Sequence, residues 1–376
     1  MQYNHERMNK KPFLSIKEIM AALAVPILAI FTAFLVASVI IFLSGSNPLS
    51  AYSAMLAGAF GDLDSLIETL NKTSPLLIAG LGAALAFRGG LFNIGIEGQI
   101  MMGSIGAVLV GSTIKAPAVI SLPLTLSAGV LGGAIWATIP GFLKARFEAH
   151  EVITTIMANY IAARVITWSL GAEGPLRKAT GVVPETNSLQ VNARLPLLIA
   201  DSRLHAGLLI AIILVVVIYI LLFRTALGFE IRSVGMNLSA ARYAGMKVER
   251  NIVLTMAISG GLAGLAGAIQ VMGLPPYNYS AGFNTGYGFD SIAVAVLGAT
   301  TPIGVAFSSL LFGFMSAGAR LMQLRAKVPI EIISILQGLI LMFVAANQII
   351  RGIYHIQTKG KQETVNLGHG WAGGKE

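Results

Sequence analysis

GLLIAIILVVVIYILLFRTALGFEIRSVGMNLSAARYAGMKVERNIVLTMAISGGLAGLAGAIQVMG, residues 207–273, sets the class of this chain. Two apolar runs, each long enough to cross a bilayer, flank a polar and basic island. The island, residues 224–250, carries Arg232, Arg242, Lys247 and Arg250 against Glu230 and Glu249. Inside it lies a short helix signal. Asn237 suits an N-cap, residues 238–244 contain good helix formers, and Gly245 supplies a stop. No capping box is present, because Ala240 stands where Glu or Gln is needed. A two-turn helix between membrane spans makes a docking peg for a soluble partner; a solvated loop is the plainer alternative.

The rest of the chain has the same character. Of its 376 residues, 55% are hydrophobic and only 11% charged, with a mean hydropathy of +0.76. Soluble domains carry about 25% charged residues. The expected fold is an all-α, polytopic transmembrane helical bundle, and length here measures spans rather than soluble domains. The net charge of +9 fits basic cytoplasmic loops. No basic module with interleaved aromatics argues for nucleic acid. The absence of cysteine excludes disulfides and thiolate sites, and the five scattered histidines have no metal-ligand spacing.

Residues 1–18 read as a basic cytoplasmic N-terminal segment, and residues 19–43 as a first span rather than a signal peptide. The following stretch, 44–70, has no Lys or Arg but carries Asp62, Asp64 and Glu68, which puts the N-terminus inside. Residues 49–60 fit a short amphipathic helix on the outer surface. Further spans are expected near 72–88, 92–113, 118–142, 152–170, 205–223, 251–273, 288–300, 303–320 and 329–350, about ten in all. The membrane domain thus covers 19–350, and 351–376 reads as a polar, disordered tail. Residues 171–204 form the longest polar excursion, on the outer side. Whether 288–328 crosses once or twice decides the side of the C-terminus; span lengths favour twice.

A Gly-rich span followed by an interrupted segment with one carboxylate occurs at 78–103 and again at 258–304. That echo predicts an inverted repeat with broken helices and a pathway between the halves. Glu97 and Asp290 are intramembrane carboxylates, a type kept in membranes for function. With Asn93, Gln99 and Asn159 they are the translocation-pathway candidates. Each has a structural alternative: satisfying backbone groups freed by nearby glycines, or tying two helices together. Tyr160 poses the same choice, and 147–151, FEAHE, reads as a solvated turn. Gly260 and Gly264, four residues apart, favour close helix approach. There is no GxxxxGK[ST], so the chain binds no ATP through a P-loop of its own. GxSxG is also absent, and catalysis has no residues to rest on.

Four segments together resemble the branched-chain amino acid/ribose/nucleoside class of ABC-transporter permeases: LAFRGGLFNIGIEGQIMMGSIGA (85–107), FEAHEVITTIMANYIA (147–162), GFEIRSVGMNLSAARYAGM with ISGGLAGLAGAIQVMG (228–273), and GFDSIAVAVLGATTPIGV (288–305). The match looks most like the nucleoside permeases that work with basic-membrane-protein lipoproteins. It is weak in 1–45, 171–204 and the tail. The resemblance implies an importer in a bacterial cell membrane. A lipoprotein would capture solute outside, two different permease chains would form the pathway, and cytoplasmic ABC ATPase subunits would hydrolyse ATP. It also implies a coupling helix around Gly235, Asn237, Ala240, Ala241 and Gly245. The residues alone leave other readings open. These are an ion-gradient-driven secondary transporter using Glu97 and Asp290, an ABC permease for a sugar, and a membrane scaffold without a pathway.

Overall fold

The computed structural model describes residues 16–179, 182–199, 202–280, 283, 286–329, 331–346, 350 and 353–354. Most of the basic N-terminal segment and of the C-terminal tail lies outside the described residues. The described chain is all-helical. Its helices are α1 (Ile16–Leu43), α2 (Pro48–Phe60), α3 (Leu63–Arg88), α4 (Ile96–Thr113), α5 (Ala118–Phe147), α6 (Glu151–Ser169), α7 (Gly207–Arg224), α8 (Ala226–Met236), α9 (Leu238–Tyr243), α10 (Val248–Gly273), α11 (Tyr287–Leu297), α12 (Pro302–Ala326) and α13 (Glu331–Ala345). Six of them, α1, α3, α5, α7, α10 and α12, are long and apolar enough to cross a membrane. α11 and α13 are shorter apolar helices. This is a polytopic helical membrane protein.

The packing inverts the soluble pattern. In α1, Ala29, Ala33 and Ala37 are buried, while Ile27, Phe31, Leu35 and Val39 on the other face are exposed. Large apolar side chains meet lipid and small ones meet protein, because hydrocarbon solvates leucine as well as a core does. α3 and α10 form the buried centre. α10 crosses α4 and α5 with backbone against backbone. A Cβ on Gly103 would lie 2.2 Å from the Gly264 Cα, and one on Gly133 would lie 2.1 Å from the Gly260 carbonyl. The Gly260/Gly264 pair of α10 therefore faces Gly129 and Gly133 of α5, a second pair at the same spacing.

The structure sharpens the sequence reading at five places. The helix expected from 72 begins at Leu63, capped by the Asp62 carboxylate on the Ser65 N–H at 2.7 Å. That bond, made with an ionised oxygen, holds the Asp62 carboxyl below its usual range. α2 is more than a surface helix. Ala51, Ala54, Met55 and Ala59 are buried, and a Cβ on Gly318 of α12 would lie 2.3 Å from the Met55 carbonyl. α8 lies in the island ahead of the stretch, 238–244, where the sequence carries its helix signal. The polar excursion at 171–204 is tied to the chain after α10: Leu195, Leu189 and Thr186 donate backbone N–H groups to the carbonyls of Met272, Tyr277 and Tyr279. The Lys178 ammonium first, then Asn278, hold the Glu185 carboxyl below its usual range. Region 288–328 forms two separate helices, α11 and α12, joined at 298–301.

Candidate functional site

Two regions carry the candidate residues. The first is where helices are interrupted. α3 ends at Arg88, and the chain runs through 89–95 without helix before α4 starts at Ile96. Asn93 donates to the Ser259 hydroxyl of α10 at 2.9 Å. Ser259 is eleven residues along α10, about 16 Å from its start, so 89–95 climbs well into the bundle. On the other side, 274–286 links α10 to α11, which begins at Tyr287. The starts of α4 and α11 meet: the Glu97 carboxylate accepts the Gly288 N–H at 2.6 Å.

The amides frame this meeting point. Asn93 and Gln99 exchange two hydrogen bonds, each 3.0 Å, and Asn93 Oδ1 also accepts the Gly95 N–H at 3.0 Å. Asn159 on α6 reaches across: its Nδ2 donates to the Ile94 carbonyl and its Oδ1 accepts the Gly98 N–H, both at 2.9 Å. Asn93, Glu97, Gln99 and Asn159 are all buried. They hold non-helical backbone in place, the task created when backbone leaves a helix inside a membrane. Asp290, one turn into α11, is half-buried. Tyr160 stands on an exposed face, away from the group. The turn at 147–151 is closed by Glu148 in the left-handed region at φ 53° and by a Lys144–Glu151 ion pair of 3.0 Å.

The second region is the polar island. Thr225 caps α8 on the Gly228 N–H at 3.1 Å. Asn237 ends α8 and caps α9, its Oδ1 accepting the Ala240 N–H at 2.9 Å. Gly245 closes α9 at φ +81°, donating its N–H to the Arg242 carbonyl. Ala241 is buried in a small core with Leu91, Val234, Val248, Ile252 and Met256. Above that core, Met236, Leu238 and Tyr243 are exposed. Arg242 pairs with Glu249 at 2.6 Å. The carboxyl of Glu249 lies below its usual range, chiefly through its own backbone N–H and also through Arg242.

The two regions touch. A Cβ on Gly235 would lie 2.3 Å from the Arg88 carbonyl, and Gly90 has φ +72°. Arg88 Nε donates to the Thr300 carbonyl at 3.1 Å, and the Arg88 and Arg232 guanidiniums both stand over the Phe223 ring. One contact set thus links α8, the interrupted segment after α3, and the turn after α11. Sequence reading missed this linkage. Residue types offered a signal in the Arg-Gly-Gly and Gly-Met-Asn triplets, but not their adjacency.

A buried helical centre with interrupted, amide-lined segments, beside a polar island of two short helices, fits a membrane transport subunit. The family described as "Branched-chain amino acid transport system / permease component" matches residues 65–345, and the chain belongs to this family of ABC-transporter permeases. It is a transporter subunit and not an enzyme. The guanosine ABC transporter permease protein NupP of Bacillus subtilis is 42% identical over 333 residues, 88% of this chain and 94% of the relative. The nucleoside ABC transporter permease protein NupB of Lactococcus lactis is 36% identical over 335 residues, covering 87% and 91%. The glucose ABC transporter permease protein TsgB13 of Haloferax volcanii is 32% identical over 337 residues, covering 87% and 88%. No solved structure matches significantly.

Proposed function

We propose that this chain is a permease subunit of an ABC importer for nucleosides in a bacterial cell membrane. One observation carries the solute class: 42% identity along 94% of a guanosine permease, against 32% for the glucose permease. A sugar is the second reading, because that glucose relative also covers 88% of its own length. Two differently named permease proteins of Bacillus subtilis, NupP and NupQ, both resemble this chain, as do NupB and NupC of Lactococcus lactis. That pairing supports a second, non-identical permease subunit. A substrate-capturing lipoprotein outside and ABC ATPase subunits inside complete the assembly.

In this reading the membrane domain spans 19–350 and crosses about ten times. α1, α3, α4, α5, α6, α7, α10, α11, α12 and α13 correspond one to one with the ten expected spans. The N-terminus, the island at 224–250 and the C-terminal tail then face the cytoplasm. α9 is the coupling helix. Asn237 and Gly245 fix its ends, Ala240 and Ala241 form its body, and Gly235 presses α8 onto the backbone after α3. The ATPase seats on Met236, Leu238 and Tyr243. The two interrupted segments are the counterparts of an inverted repeat, each leading into a helix whose start lies inside the bundle. Asp290 faces the pathway, and Asn93, Glu97, Gln99 and Asn159 shape its wall.

The test is uptake of radiolabelled guanosine in a strain lacking the transporter, with this chain restored beside its lipoprotein, second permease and ATPase. Guanosine import competed by other nucleosides and not by glucose is expected. Import of glucose without nucleoside would shift the assignment to the sugar reading. Import by this chain alone, collapsed by a protonophore, would replace both with gradient-driven transport.

A further inference from the structure

α11 is held at both ends by residues that flank one interrupted segment. At its start the Glu97 carboxylate accepts the Gly288 N–H at 2.6 Å. At its end the Arg88 guanidinium enters the turn at 298–301. Nε donates to the Thr300 carbonyl at 3.1 Å, and Nη2 reaches the Ala299 carbonyl at 3.5 Å. Arg88 is the last residue of α3 and Glu97 lies in the first turn of α4, with 89–95 between them. Each charge suits its end, because a helix start attracts an anion and a helix end a cation. α11 has 11 residues, about 16 Å, so the two holds stand a helix length apart.

The holds differ in kind. At the start, main chain lies on main chain: a Cβ on Gly288 would overlap the Glu97 backbone. α4 in turn is locked to α10 through the glycine crossing. At the end, the hold is one side chain reaching into a strained turn. Ala299 and Thr300 both stand in the left-handed region, at φ 49° and 53°, which L-residues adopt at a cost. The Thr300 hydroxyl is buried without a hydrogen-bond partner among the described residues. Such a turn persists only where its surroundings hold it. Hydrogen bonds from a charged donor are strong enough to do so, which makes the turn dependent on where Arg88 stands.

Arg88 also meets the polar island. A Cβ on Gly235 of α8 would overlap the Arg88 carbonyl, and Gly90, at φ +72°, packs on the same glycine. That contact has no side chain to absorb a displacement. We propose that Arg88 is the positioning residue through which movement of the polar island reaches α11. Its backbone follows α8, its guanidinium carries the turn at 298–301, and α11 tilts about the start held by Glu97. Asp290, in the first turn of α11, then turns with the helix that bears it. This rests on the importer reading and deepens it, by naming the link between the ATPase-facing island and a pathway helix.

The chain contains no cysteine, so Ile303→Cys gives a single thiol for an environment-sensitive fluorophore beside the turn. Ile303 lies in the first turn of α12 and is 57% exposed. The full transporter is used, with lipoprotein, second permease and ATPase, in proteoliposomes. Emission should shift when ATP binds. Arg88→Gln should cut that shift several-fold and lower guanosine import about tenfold, the effect of losing one hydrogen bond from a charged donor. ATP hydrolysis should stay near the unmodified rate, so that more ATP is spent per guanosine imported. A purely structural role would lower import and hydrolysis together. Arg88→Lys keeps the charge without the planar fork and should show the same pattern more weakly; it carries the test if Arg88→Gln does not assemble. Arg232→Gln removes the other cation over Phe223, whose own hydrogen bond stays within α8, and should leave the ATP used per guanosine unchanged. A reporter silent to ATP in the unmodified transporter would overturn the proposal. So would a full shift in both Arg88 variants, or import and hydrolysis falling in parallel. The reporter needs no solute: an Arg88-dependent shift without guanosine import would support the link and overturn the nucleoside reading alone.

Discussion

Replacing Gly245 separates the coupling helix from an ordinary loop. Gly245 holds φ +81°, and a Cβ there meets no atom within 4 Å. A substitution therefore adds no clash, and its whole cost is backbone strain. Left-handed geometry costs an L-residue about 1–2 kcal/mol, least for Asn and most for a β-branched side chain. That strain lowers the population of the closed turn by about 5–30-fold. Activity should fall in the order Gly, Asn, Ala, Val. The assay is ATP hydrolysis by the reconstituted transporter, stimulated by loaded lipoprotein, beside nucleoside uptake. Gly245→Val should abolish most of the stimulation, and Gly245→Asn should keep most of it. The matched control is Gly45, after α1, which has φ +84° and equally open surroundings. Gly45→Val carries the same strain at a site remote from α9 and should leave coupling intact. Wild-type uptake and stimulation in Gly245→Val, or equal loss in Gly45→Val, would refute the assignment.

Three further outcomes follow from packing and protonation. Glu97→Ala leaves the buried Gly288 N–H without its acceptor, a loss of about 1–3 kcal/mol, whereas Glu97→Gln retains one; thermal unfolding in detergent should rank them wild type, Gln, Ala. Gly264→Leu drives a side chain into the Gly129 carbonyl, 2.3 Å from a Cβ, and should prevent recovery of an assembled transporter from the membrane, read by size-exclusion chromatography. His205, just before α7, is buried and accepts the Gly207 N–H at 3.1 Å; burial pushes its pKa down from 6.5 to about 4. Its folded value lies below its unfolded one, so its stabilisation is complete above about pH 6.5 and is lost as pH falls toward 4, at most about 3 kcal/mol. Hydrogen-exchange protection of 202–206, taken relative to the intrinsic rate at each pH, should fall across that window, and unchanged protection would refute it.

The sequence was informative wherever one residue type has one physical use. Asn237 and Gly245 were legible as helix ends because capping and left-handed stops are local. The Gly260/Gly264 pair was legible because small residues four apart have few other uses in lipid. α8 had no such local mark: Gly228 and Gly235 both lie inside it, where each admits a neighbouring backbone that is distant in sequence or in the preceding helix. Polar types at 93–99 were visible, but their partners were not. Asn159 lies 61 residues from Gly98, and Glu97 lies 191 from Gly288, separations that no local pattern encodes.

The glycine crossing of α4, α5 and α10 also limits how the transporter can move. With main chain touching main chain, no side chain is available to switch rotamer and let one helix slide along another. These three helices turn as one body about a shared fulcrum. Under the importer reading, any hinge of alternating access falls outside this crossing, at contacts made by side chains rather than by main chain.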